Sequence, residues 1–389
     1  MKVLVVLPFL KSIGGASRYG WELAEFLVTK GDVITVASIF ADRDLYNSNK
    51  FISVIDLADA SFLPQTIKYW LKFGKIRKNL RLLVEKEKPH VIVFINWPTS
   101  MWVDNFNDIP IVFSPLDIQI LYSDTYTKNL KISLYWMWKF LRFFVRIYEK
   151  SKWKHFDSII ASSKFTAKHI YDVYDVSSEV IYLGANKIFF ETIPKKSRAI
   201  LCLGDIKARH ASFLIQTAEK LYRTRQDFEI WIAGDKELHG DELKQLSQRL
   251  GLEKVVKFFG RVSDEKLASL YANSLVFTHL VKDAPFGMQV VESMAASTPV
   301  ISWKPGGPEE SILQNETGFL IPQFNHDELI KHIELFLDDS HLSTEMGKKA
   351  RVRAEKLFKS SNIYNQIRNF MIQTMQNKLK NSNFNSQRL

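Results

Sequence analysis

The stretch DAPFGMQVVESMAASTPV, Asp283 to Val300, decides how this chain is read. Pro285 and Gly287 punctuate a loop, and from Met288 to Ala296 apolar residues return at helical spacing. A loop that runs into a helix leaves first-turn N–H groups without intrahelical partners. It also points the positive end of the helix dipole outward, which suits an anionic phosphate. Glu292 falls about one turn into the helix, where a carboxylate can accept two hydroxyl hydrogen bonds of the kind a ribose offers. Taken alone, any strand–loop–helix unit with an exposed glutamate fits the same letters.

Outward from that stretch the pattern repeats. Ala199–Leu203, Glu229–Ala233, Val255–Phe259, Leu275–Thr278 and Pro299–Ser302 read as strands, with helical segments at Ser212–Tyr222, Asp241–Leu250 and Asp264–Ala272. The first half has the same rhythm. Val3–Pro8, Val33–Ala37, Val91–Ile95, Ile111–Phe113 and Ser158–Ala161 are short apolar runs, and Ser17–Lys30 has helical spacing. Strands that alternate with helices predict an α/β chain of two doubly wound, Rossmann-like domains, with ligands beyond the carboxyl ends of the strands in a central cleft. The polar, aperiodic FETIPKKSR, Phe190–Arg198, marks the join. The expected division is 1–190, 191–358, a helix over 359–375 that returns to the first domain, and a disordered Asn-, Lys- and Ser-rich tail over 376–389.

The totals agree with two folded domains. The chain has 389 residues, 46% hydrophobic and 24% charged, with one cysteine, Cys202, so no internal disulfide can form. The opening MKVLVVLPFL lacks a small-residue cleavage site and reads as a buried strand rather than a secretion signal. No apolar run approaches the roughly 20 residues that would span a bilayer, which predicts a cytoplasmic protein with a peripheral position at the inner face of a membrane. A net charge of +11 attracts nucleic acid, anionic membranes and phosphorylated small molecules. No nucleic-acid motif accompanies it, so nucleic acid is not expected as a partner. The histidines have no metal-ligand spacing, and no metal is expected. His279, near a strand end, is either structural or placed at the site.

Three further segments follow the order of a known family. Lys304-Pro305-Gly306-Gly307-Pro308-Glu309-Glu310 follows a strand, Asn315-Glu316-Thr317-Gly318 follows a short helix, and Phe258-Phe259-Gly260-Arg261-Val262-Ser263-Asp264 ends an earlier strand. With Phe286-Gly287 and Glu292, this set resembles the C-terminal domain of the family 4 retaining glycosyltransferases of GT-B fold. In the first half, Ser12-Ile13-Gly14-Gly15-Ala16-Ser17, Phe113-Ser114-Pro115 and Ala161–Thr166 with Ile181–Gly184 are similar to that family more weakly. The resemblance implies a nucleotide-sugar donor in the second domain: the base near Arg261 and Val262, the ribose on Glu292, the diphosphate against the amides of Gly287 and Met288, with Phe286 also among the donor-binding residues. Gly14 and Gly15 would serve the acceptor or a phosphate. It implies retention of configuration without metal or other cofactor, and a lipid-linked or glycan acceptor in polysaccharide or glycoconjugate assembly.

The chain also departs from the family. Ala284 stands where its first glutamate would fall, which leaves the neighbouring Asp283 as the candidate. Asp205 and His210 replace an arginine and a lysine, so Lys207 and Arg209 become the candidate phosphate cations. Phe113 replaces a histidine. Two readings stay open: an active hexosyltransferase with displaced cations, or a degenerate member that binds a sugar nucleotide or partner without turnover.

Two basic, aromatic segments suit an anionic membrane surface, Thr66–Lys88 and Lys131–Phe156. The second is apolar enough that much of it belongs in the protein, so the first is the expected surface element.

Overall fold

A computed structural model describes the chain apart from residues 11–14, 43–48, 59–66, 105, 107–108, 118–131, 205–209, 235–239 and 387–389. Two compact units emerge, Met1–Ile181 with Tyr364–Leu389, and Tyr182–Ile363. In the first, β1 (Lys2–Val6), β2 (Val33–Ser38), β3 (Ile52–Asp56), β4 (Val91–Ile95), β5 (Ile111–Ser114), β6 (Ser158–Ala161) and β7 (Glu179–Val180) form one parallel sheet in the order β3-β2-β1-β4-β5-β6-β7. In the second, β8 (Ala199–Leu203), β9 (Glu229–Ala233), β10 (Val256–Gly260), β11 (Val276–His279), β12 (Val300–Lys304) and β13 (Gly318–Pro322) lie in the order β10-β9-β8-β11-β12-β13, again parallel. Both are the doubly wound order, which reverses between β1 and β4 in one unit and between β8 and β11 in the other.

The sequence makes these sheets because their central strands are apolar on both faces. VIVFI in β4 and AILCL in β8 are buried at every position, as a sheet covered by helices on each side requires. Those helices are α1 (Gly15–Thr29), α2 (Ile67–Glu87), α3 (Ile132–Trp153) and α4 (Lys164–Tyr174) in the first unit. The second has α5 (Lys187–Phe190), α6 (Ala211–Tyr222), α7 (Gly240–Arg249), α8 (Asp264–Asn273), α9 (Met288–Ala295), α10 (Pro308–Ser311), α11 (His326–Asp338) and α12 (Ser340–Leu357). A last helix, α13 (Ser360–Ser386), passes from the second unit to the first. Among the described residues no helix is long and apolar enough to cross a membrane.

The join falls earlier than the polar stretch at Phe190–Arg198 suggests. Tyr182 stacks on Phe286 at 5.7 Å, Phe189 meets Tyr271 edge-on at 6.0 Å, and Arg351 donates to the carbonyl of Phe190. Residues from Tyr182 on therefore pack with the second unit. The tail is corrected as well: α13 continues through Ser386 instead of ending near Gln376. One side of it is tied down at intervals, with Tyr364 donating to Glu22 (2.8 Å), Arg368 to Asp32 (2.7 and 3.1 Å), Thr374 to Ser158 (2.9 Å) and Lys378 to Asp157 (2.9 Å). A polar composition reads as disorder only while such anchors are unknown.

Each of the two basic helices buries one face and exposes the other. In α2, Tyr69, Ile76, Leu80, Leu83 and Val84 are buried, and the Tyr69 hydroxyl accepts from Trp102 Nε1 at 2.8 Å. In α3, Arg142, Val145, Glu149 and Trp153 are buried, whereas Phe140, Phe143, Phe144 and Ile147 are exposed.

Candidate functional site

In the second unit Asp283, Phe286, Gly287 and Met288 lie in the loop and first helical turn that follow β11, against the turn that follows β12. After His279 the chain runs through a loop to Gly287, which caps α9 in the left-handed region at φ 90°. Only glycine adopts that backbone without strain, and here it has a second role. A Cβ on Gly287 would lie 3.2 Å from the ring carbon Cε1 of His279 and 3.1 Å from a methyl of Val290. No side chain caps α9. Val290 N–H turns back to the carbonyl of Gly287 at 2.9 Å, so the amides of Met288 and Gln289 are the first-turn donors that the helix itself leaves over. Both residues are half-buried.

The Gly306-Gly307 turn holds this loop from behind. Gly307 N–H donates to the carbonyl of Ala284 at 2.8 Å. A Cβ on Gly307 would lie 2.3 Å from the carbonyl oxygen of Pro285 and 2.4 Å from Cα of Phe286, both backbone atoms. Glu309 closes the turn by accepting from Gly306 N–H at 3.0 Å. This is the physical content of the KPGGPEE segment: two bare residues let one turn lie against the loop that feeds α9.

Glu292 sits in the body of α9, 4% exposed, and one of its carboxylate oxygens lies 3.4 Å from the hydroxyl of Tyr271 on α8. Asp283 is half-buried with φ at 49°, and its carboxylate accepts from Gln323 Nε2 at 3.0 Å, just past β13. Phe286 differs from its expected place. Its side chain is 1% exposed between Tyr182 and Phe358, so it anchors the loop and offers no face to a ligand. Arg261 and Val262 follow β10, the outer strand of the sheet, with Arg261 exposed and Val262 half-buried. Lys207 and Arg209 lie outside the described residues, as does Gly14. Gly15 opens α1 in the first unit, exposed, with no atom within 4 Å of where its Cβ would be.

Several contributors escape a reading of motifs. His210 accepts the left-handed region at φ 45° and places Nδ1 3.1 Å from the carbonyl of Leu280, which clips the start of α6 to the exit of β11 at the point where strand order reverses. His279 is buried, with Nδ1 3.1 Å from the Ser302 hydroxyl and the other edge of its ring toward Gly287. Lys282 and Lys304, both exposed, follow β11 and end β12. A positive residue after a strand is too common a signal to single them out from sequence. Phe113, at the family's histidine position, is a core ring stacked on Phe156 at 4.6 Å.

Among the described residues of the first unit, a buried acid lies close in sequence to that ring's packing partners. Glu149 of α3 is 2% exposed and accepts from Ser100 (2.9 Å) and Tyr174 (2.8 Å). Burial pushes its carboxyl up to about 7, against the lowering effect of those hydrogen bonds.

Comparison with known proteins gives two family models in tandem. Residues 13–187 match "Glycosyltransferase Family 4" and residues 185–353 match "Glycosyl transferases group 1". N-acetyl-alpha-D-glucosaminyl L-malate synthase of Bacillus anthracis is 24% identical, over 94% of this chain and 96% of that protein. Among solved structures, sucrose-phosphate synthase from Thermosynechococcus elongatus superimposes with a TM-score of 0.81 at 18% identity, covering 96% of this chain and 98% of that one. HepE of Anabaena, solved in complex with UDP-glucose, gives a TM-score of 0.76 at 19% identity, covering 96% and 100%.

Proposed function

The chain belongs to the family 4 glycosyltransferases of GT-B fold, and on that premise we propose that it moves a hexose from a nucleotide-sugar donor to a lipid-linked or glycan acceptor with retention of anomeric configuration. The observation that carries the donor site is the uncapped start of α9 at Gly287 with Glu292 on the same helix. The diphosphate rests against the amides of Met288 and its neighbours, where the helix dipole adds attraction. Glu292 receives the ribose hydroxyls once the nucleotide competes with Tyr271 for its carboxylate. Arg261 and Val262 lie toward the base.

As the sugar–phosphate bond breaks, negative charge grows on the leaving diphosphate. Preorganised amides and cations stabilise that charge, so the proposed reaction needs no metal or other cofactor. Lys207 and Arg209 remain the proposed cations, with Lys282 and Lys304 added by their place at the strand ends. Asp283 stands beside the reacting sugar in this reading and is held there by Gln323. The acceptor is assigned to the first unit, near Gly14 and Gly15, on the cytoplasmic side of a membrane.

A second reading is a member that binds without turnover. It is favoured by Ala284 at the family's first glutamate and by Phe113, a core ring with no proton to exchange. Release of nucleoside diphosphate from a panel of nucleotide sugars, with glycan or lipid-linked acceptors present, separates the two, since transfer and hydrolysis both free it and a silent binder frees none.

The donor site is tested by Glu292→Ala. Losing charge-assisted hydrogen bonds to two hydroxyls, each worth about 1.5–3 kcal/mol, weakens nucleotide affinity by at least about tenfold in calorimetry. Tyr271→Phe removes the phenol without touching the ligand and leaves affinity within about threefold. Equal affinity in Glu292→Ala and the parent would remove Glu292 from the donor site.

A further inference from the structure

Helix α3 buries one face, which mixes charged and apolar residues, and exposes an apolar stripe on the opposite one. Arg142, Val145, Glu149 and Trp153 recur at helical spacing and are buried, between 2% and 9% exposed. On the other side Phe140, Phe143, Phe144 and Ile147 follow the i, i+3, i+4, i+7 pattern of a single stripe, and they are 68%, 61%, 53% and 56% exposed. The rings form a continuous patch: Phe144 meets Phe140 at 5.3 Å and Phe143 at 5.5 Å, both edge-on. Three large rings and an isoleucine side by side expose on the order of several hundred Å², more than scattered surface residues account for.

Charge decides what covers it. Lys139, Arg146 and Lys150 fall along one flank of the stripe at spacings of seven and four, and Lys154 follows the helix end. The only acid in the α3 sequence is Glu149, which is buried on the opposite face. A second copy of this face would bring cations against cations, which opposes a two-fold pairing. An anionic bilayer matches both features, with apolar rings entering the acyl boundary and cations at the phosphate level.

We propose that α3 is a membrane-docking helix that lays Phe140, Phe143, Phe144 and Ile147 into an anionic lipid surface. This extends the lipid-linked acceptor proposed above but does not depend on the donor site. It also moves the docking element from α2, where Leu71 and Leu82 are exposed singly, to α3.

The test is co-sedimentation of the full chain with vesicles of phosphatidylcholine alone or with about one-third phosphatidylglycerol. The wild type is expected on the anionic vesicles only, with binding that falls as salt rises. The double variant Phe140→Ser/Phe143→Ser and the charge variant Lys139→Glu/Arg146→Glu are each expected to bind at least about tenfold more weakly. Leu71→Ser on α2 should bind as the wild type does. Nucleotide binding measured in parallel should stay unchanged in all variants, which verifies their fold and separates this proposal from the donor reading. Equal binding to both vesicle types, full binding by the α3 variants, or release by Leu71→Ser instead would overturn it. So would light scattering that shows a dimer which the phenylalanine variants convert to monomer.

Discussion

Gly307→Ala tests whether the glycine pair exists to set the phosphate loop. The backbone of Gly307 has φ at −54°, which alanine adopts freely, so any effect is steric rather than conformational. The added methyl would sit 2.3 Å from the carbonyl oxygen of Pro285 and 2.4 Å from Cα of Phe286. Reaching an ordinary contact of about 3.5 Å requires a backbone shift of about 1 Å. Phe286 resists that shift, being held between Tyr182 and Phe358. The movement is therefore passed to Pro285, Gly287 and the amides of Met288 and Gln289, and the 2.8 Å bond from Gly307 to Ala284 is lost. Overpacking of this kind costs about 1–3 kcal/mol of stability. A misplacement of about 1 Å at a reacting centre costs on the order of a hundredfold in rate. Urea denaturation and transfer kinetics with the donor that the wild type uses would measure both. A variant with unchanged stability and unchanged kcat/KM would refute the claim that the turn positions the loop.

Two further predictions concern the first unit. Because Glu149 is raised by burial from its ordinary value of 4.5 to about 7, the folded state holds its proton more tightly than the unfolded one. Its contribution is complete below the lower value and is lost as pH rises to the higher, about 3 kcal/mol in all. Glu149→Gln should therefore gain stability relative to the wild type between those limits, and parallel urea midpoints for the two proteins across that range would refute it. Asp32 joins the N-terminal ammonium (2.7 Å) to Arg368 of α13. Burial raises its carboxyl, but the hydrogen bonds from Arg368 and the N-terminus outweigh burial and hold it below the usual range. That stability is present above the ordinary carboxylate range and is lost as pH falls through the lowered value. Asp32→Ala leaves two cations unpaired, and with Arg368 partly exposed the cost should be about 2–4 kcal/mol, read by urea denaturation and by earlier proteolysis of α13.

What the sequence determined by itself is local and periodic. Apolar runs such as VIVFI and AILCL require strands covered on both faces, and their alternation with helical segments requires parallel, doubly wound sheets. Asp283–Val300 likewise specifies a loop, a glycine cap and a helix from neighbouring residues alone. The tertiary structure decided which of two plausible surfaces each segment buries. Composition shows that α3 is basic and rich in aromatic residues, but only packing around Trp153 and Glu149 selects the side that is buried. Phe286 looks ligand-facing within its motif until Tyr182 and Phe358 close on it from distant parts of the chain. Asp283 finds Gln323, and α13 finds Asp32 and Asp157, across separations that no local pattern encodes. Propensity and periodicity act over a few residues, whereas burial and pairing are settled by contacts between segments far apart in sequence, and at those positions the letters were read one way and the fold used them another.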